Sequence, residues 1–297
     1  MARVGIVGIG NMGLPMALRL HDLGHAVTVR DVDPAREALA VGCSVAASPA
    51  ALAEQVELVI IVVVDGVQTE AVLFGPGGVT VAGGGARCVM LCPTISPGDV
   101  ESFAARLATA GLETLDAPMS GGPARTRDGT MSLMIGGAQT LFVRWQPLLA
   151  QMARLFRVGE RPGDGARTKL VNNLLAAINL AGAAEVMALA GRLGLDPATT
   201  LAVIEQSSGQ SWIGSDRMHR ALAGDDAPRA HMGLLAKDSR LALDEAAQAG
   251  LLLPTGQAAA AWFAAALRAG MGAADDSALW RLVATPPARP SGSESVP

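Results

Sequence analysis

The segment VGIVGIGNMGLPMALRL, residues 4 to 20, narrows the choice of fold more than any other part of the chain. An apolar, β-branched run leads directly into Gly8, Gly10 and Gly13, and a helical pattern follows at once. In a G-x-G-x-x-G turn the first glycine permits the bend, the second lets backbone approach a pyrophosphate, and the third lets helix pack on strand. The triplet alone would mean little among 35 glycines. Its strand and helix flanks give it force. Amides at Asn11 and Met12 would then lie at a helix N-terminus, where the helix dipole favours a phosphate.

Such a turn calls for an acidic residue about 20 positions on, at the end of the second strand, to bind ribose hydroxyls. HAVTVRDVDPAR supplies Asp31. A carboxylate there repels the extra phosphate of NADP, so NAD is the expected cofactor and NADP the weaker one. Arg30 and Arg36 are the residues that could soften that preference.

Up to about residue 160, short β-branched runs alternate with Ala/Leu-rich stretches in the rhythm of βαβ units. Strands are expected near 3 to 8, 25 to 31, 58 to 64, 87 to 92, 112 to 116 and 131 to 136. Helices should start near Gly13, Pro34, Gln68, Pro97 and Leu141. LVIIVVV at 58 to 64 reads as a buried parallel strand; it is far shorter than the roughly 20 residues of a membrane helix. After GERPGDGA at 159 to 166 the pattern turns helical, over 166 to 193, 197 to 206, 232 to 250 and 255 to 270. The expectation is an α/β protein: an N-terminal Rossmann-type doubly wound sheet (1 to 163), an all-helical domain (164 to 285) and a disordered tail (286 to 297) with little to bury.

Composition removes several kinds of function. A net charge of -4 and a pI near 5.6 argue against a phosphate-neutralising nucleic-acid surface. No membrane segment is expected. Three cysteines without paired spacing fit a reducing compartment, the cytoplasm, rather than a disulfide framework. The chain has no tyrosine, which excludes a Tyr-Lys proton relay. The four histidines show no ligand-like pair, so no metal is expected, and His219 and His231 lie in no context that suggests a His/Asp couple.

What remains for acid/base chemistry is GARTKLVNNLL, residues 165 to 175. On a helix Lys169 and Asn173 are spaced i, i+4 and share a face, with Asn172 beside them, while Leu170, Val171, Leu174 and Leu175 would bury the flanks. A lysine in such half-apolar surroundings can have its pKa lowered enough to act as general base or acid. On the residues alone, a snorkelling surface lysine with bridging asparagines explains the segment equally well.

Four segments in order, GIGNMG, DAPMSGG (116 to 122), GARTKLVNN and LLAKD (234 to 238), resemble the β-hydroxyacid dehydrogenase family, which includes 3-hydroxyisobutyrate dehydrogenase, tartronate semialdehyde reductase and threonate dehydrogenase. The resemblance spans residue 2 to about 284. It implies that Ser120, Gly121 and Gly122 hold a substrate carboxylate, that Lys169 is the catalytic lysine, and that Asn173 orients the substrate. Lys237 and Thr94, the latter in CPTISP, are implied on the cofactor side. Val63 and Val64 stand where relatives often carry Leu-Pro at the cofactor; VVVDGVQTEAVLFG looks closer to threonate-type members. Trp212 in SSGQSWIGSDR approaches the substrate by the same resemblance, with core packing as the alternative. His231 becomes a pocket candidate because PRAH replaces a frequent phenylalanine. Arg125 and Arg127 would favour a second anionic or polyhydroxy group if they faced the site.

The resulting expectation is an NAD-dependent oxidoreductase acting on a small 3-hydroxy carboxylic acid or its semialdehyde. A homodimer or homotetramer is implied by the resemblance, with Ala/Gly-rich helices near 176 to 194 and 255 to 272 as packing surfaces. An imine reductase of the same architecture and a non-catalytic cofactor-binding module are the rivals, and the retained Lys169 weighs against both.

Overall fold

The computed structural model describes residues 1 to 285, so the expected tail of 286 to 297 lies outside the described residues. The chain divides into two compact units between Asn172 and Asn173.

The N-terminal unit begins β1 (Arg3–Val7), α1 (Gly13–Asp22), β2 (Ala26–Arg30), α2 (Pro34–Glu37), β3 (Ser44–Val45) and α3 (Pro49–Ala53). It continues β4 (Leu58–Ile61), α4 (Gly66–Phe74), β5 (Cys88–Leu91), α5 (Pro97–Thr109) and β6 (Glu113–Asp116). Then come β7 (Met119–Ser120), α6 (Gly122–Asp128), β8 (Met131–Gly136), α7 (Gln139–Leu149) and β9 (Ala153–Gly159). These strands form one sheet in the order β3-β2-β1-β4-β5-β6-β8-β7, with β9 paired to β8. The first six, as ordered, are parallel neighbours, whereas β8 runs antiparallel to both β6 and β7.

Alternation along the central strands explains why helices cover both faces. Leu58 and Ile60 of β4, with Cys88 and Met90 of β5, join Met16 and Leu20 of α1 and Leu141 and Leu148 of α7 in one core. Val59 and Ile61, with Val89 and Leu91, join Leu52 of α3, Leu73 of α4 and Phe103 of α5 in another. Each large apolar side chain buried in this way contributes about 1.5 to 3 kcal/mol. Side-chain caps set the helix starts: Ser48, Asp65 and Ser96 accept from Ala51, Gln68 and Asp99 amides ahead of α3, α4 and α5.

The six expected strands are present, with β4 shortened the most. β4 ends at Ile61 instead of residue 64, so Val63 and Val64 belong to the connection after it. β3, β7 and β9 were not expected, nor were the short helices α3 and α6. β9 escapes a period-2 reading because Arg154 and Arg157 interrupt its apolar residues.

The long helix α8 (Asp164–Arg192) starts in the first unit and continues into the second. The helical unit adds α9 (Pro197–Glu205), α10 (Trp212–Leu222), α11 (Met232–Gln248), α12 (Pro254–Arg268) and α13 (Leu279–Ala284). Its core gathers Ala177, Leu180, Ala184 and Met187 of α8 with Phe263 and Leu279. Among the described residues α8 is the one helix long and apolar enough, by length and composition, to cross a membrane, which the sequence reading had not expected. One face of it packs in this core.

The expected burial of the α8 flanks is only half right. Leu170 and Leu174 are buried, but Val171 and Leu175 are exposed. Four consecutive-turn apolar residues span more of the helix circumference than one neighbouring layer can cover.

Candidate active site

The parallel strands deliver the candidate residues to one edge of the sheet. Gly8 follows β1, Asp31 follows β2, Val63 follows β4, Thr94 follows β5 and Asp116 ends β6. β1 lies between β2 and β4, where the strand order reverses; ligands of open α/β sheets bind outside the carboxyl ends of strands at such a point.

The glycine turn is built by close approach. Gly8 has φ of 96°, and a Cβ there would lie 2.2 Å from the Val62 carbonyl oxygen and 3.2 Å from Val63 Cγ1. A Cβ on Gly13 would lie 1.8 Å from the Gly8 carbonyl oxygen, so only glycine lets α1 begin this near the turn. Gly10 differs: its Cβ would meet Arg36 Nη1 at 3.0 Å, the mobile end of a side chain. Met12 precedes α1 without a side-chain cap, as expected of a helix start that offers its amides to a ligand.

Asp31 is fixed at the lip of this turn. Its Oδ2 accepts from the Ile9 amide at 2.5 Å and its Oδ1 from the Asp33 amide at 2.9 Å. Buried Glu37 accepts from the Asp31 amide at 2.8 Å and from Arg30 Nη1 at 3.0 Å. Arg30 is thereby held by a carboxylate. A tight glycine turn at Gly8 to Gly13 beside an oriented carboxylate, Asp31, is an arrangement that could hold a dinucleotide.

Ser120 ends the two-residue strand β7, paired to Ser132 of β8. Gly121 and Gly122 follow with φ of 136° and 71°, a succession that L side chains rarely adopt. Arg125 donates to the Thr130 carbonyl oxygen at 2.8 Å and Arg127 pairs with Asp22 of α1 at 2.5 Å. Both arginines thus have partners, and Arg125 packs beside Gly121, where a Cβ would lie 3.2 Å from Arg125 Cβ. Thr94 is half-buried, and Ser96 rather than Thr94 caps α5.

Lys169 is buried on α8 at 8% exposure, while Asn172 is exposed. Within the helical unit, Asn173 Nδ2 donates to Asp238 Oδ2 at 2.6 Å, and Lys237 Nζ stands 3.1 Å from Asp238 Oδ1. Trp212, the first residue of α10, is 62% exposed and therefore not a core residue; Ser211 caps that helix through the Gly214 amide. His231 precedes α11, and its Nδ1 lies 2.9 Å from the Ala273 carbonyl oxygen. No group of His, Cys, Asp or Glu suited to a metal occurs among the described residues.

Two carboxylates escaped the sequence reading. Asp238 had no role, yet it is buried, accepts from Asn173 and pairs with Lys237. Asp116 had no role, yet its Oδ2 accepts from the Gly163 and Ala166 amides at 2.9 Å each. Burial pushes its pKa up to about 6, opposed by the amides of Ala166, Gly163 and Gly165. The available signal was an aspartate enclosed by apolar residues in TLDAPM.

The fold and the turn define a dinucleotide-binding architecture, and comparison with known proteins specifies the class of enzyme. Residues 3–159 match the model described as the NAD binding domain of 6-phosphogluconate dehydrogenase. Residues 163–283 match that described as the NAD-binding of NADP-dependent 3-hydroxyisobutyrate dehydrogenase. An L-threonate dehydrogenase of Cupriavidus necator is 38% identical over 94% of this chain and 95% of its own. A 3-hydroxyisobutyrate dehydrogenase of Pseudomonas aeruginosa is 38% identical over 71% and 72%. The crystal structure of 3-hydroxyisobutyrate dehydrogenase from Salmonella typhimurium superposes with a TM-score of 0.86 at 34% identity, covering 95% of this chain and all of that one. The chain belongs to the β-hydroxyacid dehydrogenase family of NAD(P)-dependent oxidoreductases.

Proposed function

We propose that the protein oxidises a small β-hydroxy carboxylic acid with NAD, or reduces the corresponding semialdehyde, and that Lys169 is its general acid/base. One observation carries this reading. A lysine buried at 8% exposure sits near the start of α8, and that start is bonded to the β6 end from which the Ser120-Gly121-Gly122 loop continues. Lysine is rarely buried, and a buried amine beside a substrate hydroxyl can serve as general acid or base.

When bound, the nicotinamide supplies the acceptor for the hydride of the carbinol carbon. In that direction Lys169, as a neutral amine, takes the hydroxyl proton; in reduction its ammonium returns one. Ser120 Oγ and the amides of Gly121 and Gly122 hold the substrate carboxylate, and Asn173 orients the hydroxyl-bearing carbon. The resemblance gives Thr94, Val63, Val64 and Lys237 to the cofactor, and Trp212 and His231 to the substrate. Asp31, fixed by the Ile9 and Asp33 amides, supports NAD over NADP, as does the engagement of Arg30 by Glu37. Polyhydroxy acids of the threonate type come first among substrates, because five L-threonate dehydrogenases, 33 to 38% identical, each align over 94% of this chain.

Initial rates with NAD and NADP across a panel of 3-hydroxy and polyhydroxy acids, beside esters lacking the carboxylate, test this reading. Turnover of one acid with NAD, lost in its ester, is expected; turnover of acid and ester alike would remove the carboxylate loop from the account.

Three free cysteines, Cys43, Cys88 and Cys92, are consistent with a reducing cytoplasm. A homodimer or homotetramer is supported by the exposed apolar stripe of α8, where Leu175, Val186 and Leu189 recur at heptad-like spacing with Gly182 among them. Light scattering should give a mass of at least two chains; a monomer would contradict it.

A further inference from the structure

The start of α8 cannot be capped from within its own sequence. Gly163, the preceding residue, has no side chain and takes φ of 99°. The acceptor comes from 47 residues earlier, as Asp116 Oδ2 accepts from both the Gly163 and Ala166 amides. Ala166 is the third helical residue, whose amide a capping side chain ordinarily takes. Asp116 therefore does from the end of β6 what Ser96 does locally for α5.

Glycines bring the two together. A Cβ on Gly165 would lie 2.6 Å from the Met134 carbonyl oxygen and 2.9 Å from Asp116 Cγ. One on Gly136 would lie 2.6 Å from the Arg161 carbonyl oxygen, and one on Gly159 2.1 Å from Asp164 Oδ2. The first turn of α8 is thus seated directly on the ends of β6, β8 and β9. Lys169 follows Ala166 by less than one turn, and Ser120 follows Asp116 through Ala117, Pro118 and Met119.

Fold stability alone does not account for a carboxylate here. At 1% exposure it is costly to keep ionised, and an amide of the same size avoids that cost. An ionised acceptor, however, makes stronger bonds to amides than a neutral one and also opposes the positive end of the helix.

We infer that Asp116 is a positioning residue for Lys169: by capping α8 from the strand that leads to Ser120, it fixes where the lysine amine is delivered relative to the carboxylate loop. The inference rests on the proposed role of Lys169. Released from its cap, the helix start frays, and a displacement of about 1 Å at a reacting group can cost on the order of a hundredfold in rate.

The test compares full-length Asp116→Ala and Asp116→Asn, with Lys169→Ala in parallel, by kcat, by KM for NAD, by thermal melting and by amide hydrogen exchange over residues 163 to 170. The Asp116→Ala protein should be folded, exchange faster in that segment, and lose roughly 10- to 100-fold in kcat while KM for NAD stays within about twofold. Asp116→Asn can present one neutral carbonyl oxygen to both amides and should recover part of the loss. Normal kcat in folded Asp116→Ala, with Lys169→Ala inactive, overturns this inference alone. Equal impairment of the alanine and asparagine variants overturns it too, since the cap would then not be what matters. Full turnover in Lys169→Ala overturns the reading of the lysine itself, and the positioning role with it.

Discussion

Asn173 donates its amide hydrogen to Asp238 across 2.6 Å, joining α8 to α11 inside the helical unit. Because an ionised carboxylate only accepts, the bond fixes which way round the Asn173 amide sits. Lys237 reaches the other oxygen of the same group, so Asp238 orients two residues to which the family resemblance gives roles. Asp238→Ala removes a hydrogen-bond acceptor from Asn173 and an ion-pair partner from Lys237. It should cost about 1 to 3 kcal/mol in urea unfolding and lower kcat/KM at least about tenfold. Unchanged kinetics in a destabilised Asp238→Ala protein would reduce the contact to scaffolding.

Two glycines of the turn, Gly13 and Gly10, should fail in different ways. Gly13→Ala places a methyl 1.8 Å from the Gly8 carbonyl oxygen and must shift helix against strand, so its melting temperature should fall sharply. Gly10→Ala meets only the end of Arg36, which can move, so stability should stay within about 0.5 kcal/mol while NAD binding weakens. Calorimetric titration beside thermal melting separates the two. Equal NAD affinity in Gly10→Ala would place the pyrophosphate elsewhere.

A pH dependence follows from Asp116. Its pKa stands at about 6 in the folded protein against 3.8 ordinarily, because burial penalises the charge. The folded state therefore binds a proton that the unfolded state has released between those values. Stability from this group is fully present below 3.8 and is lost as pH rises through about 6, by up to about 3 kcal/mol. Nearby Asp164 adds to the rise, and burial with the charge of Asp116 pushes the Cys92 thiol up out of its ordinary range. Urea unfolding at pH 4.5 and 7.5 should show Asp116→Asn gaining on the wild type at the higher pH. A difference that does not change with pH would mean that Asp116 titrates normally.

Much of this was legible in residue order because it is local chemistry. The strand-turn-helix at Gly8 to Gly13, the carboxylate at Asp31 and the buried runs of β4 and β5 each declare themselves within a few residues. β7 could not be read: two residues between Pro118 and Gly121 acquire strand geometry only by pairing with β8. Asp116 and Asp238 were missed for the same reason, since their partners lie 47 and 65 residues away along the chain. The exposure of Val171 and Leu175 was hidden as well, because an apolar residue looks the same in sequence whether it meets a core or stands on a surface.

The central claim is that Lys169 moves the proton. The most direct measurement is the turnover of Lys169→Ala on the best acid from the panel, with NAD affinity measured on the same preparation. The account predicts a loss of roughly 10²- to 10⁴-fold in kcat, the usual contribution of general acid/base catalysis, with NAD binding retained. Wild-type turnover in that variant would contradict it.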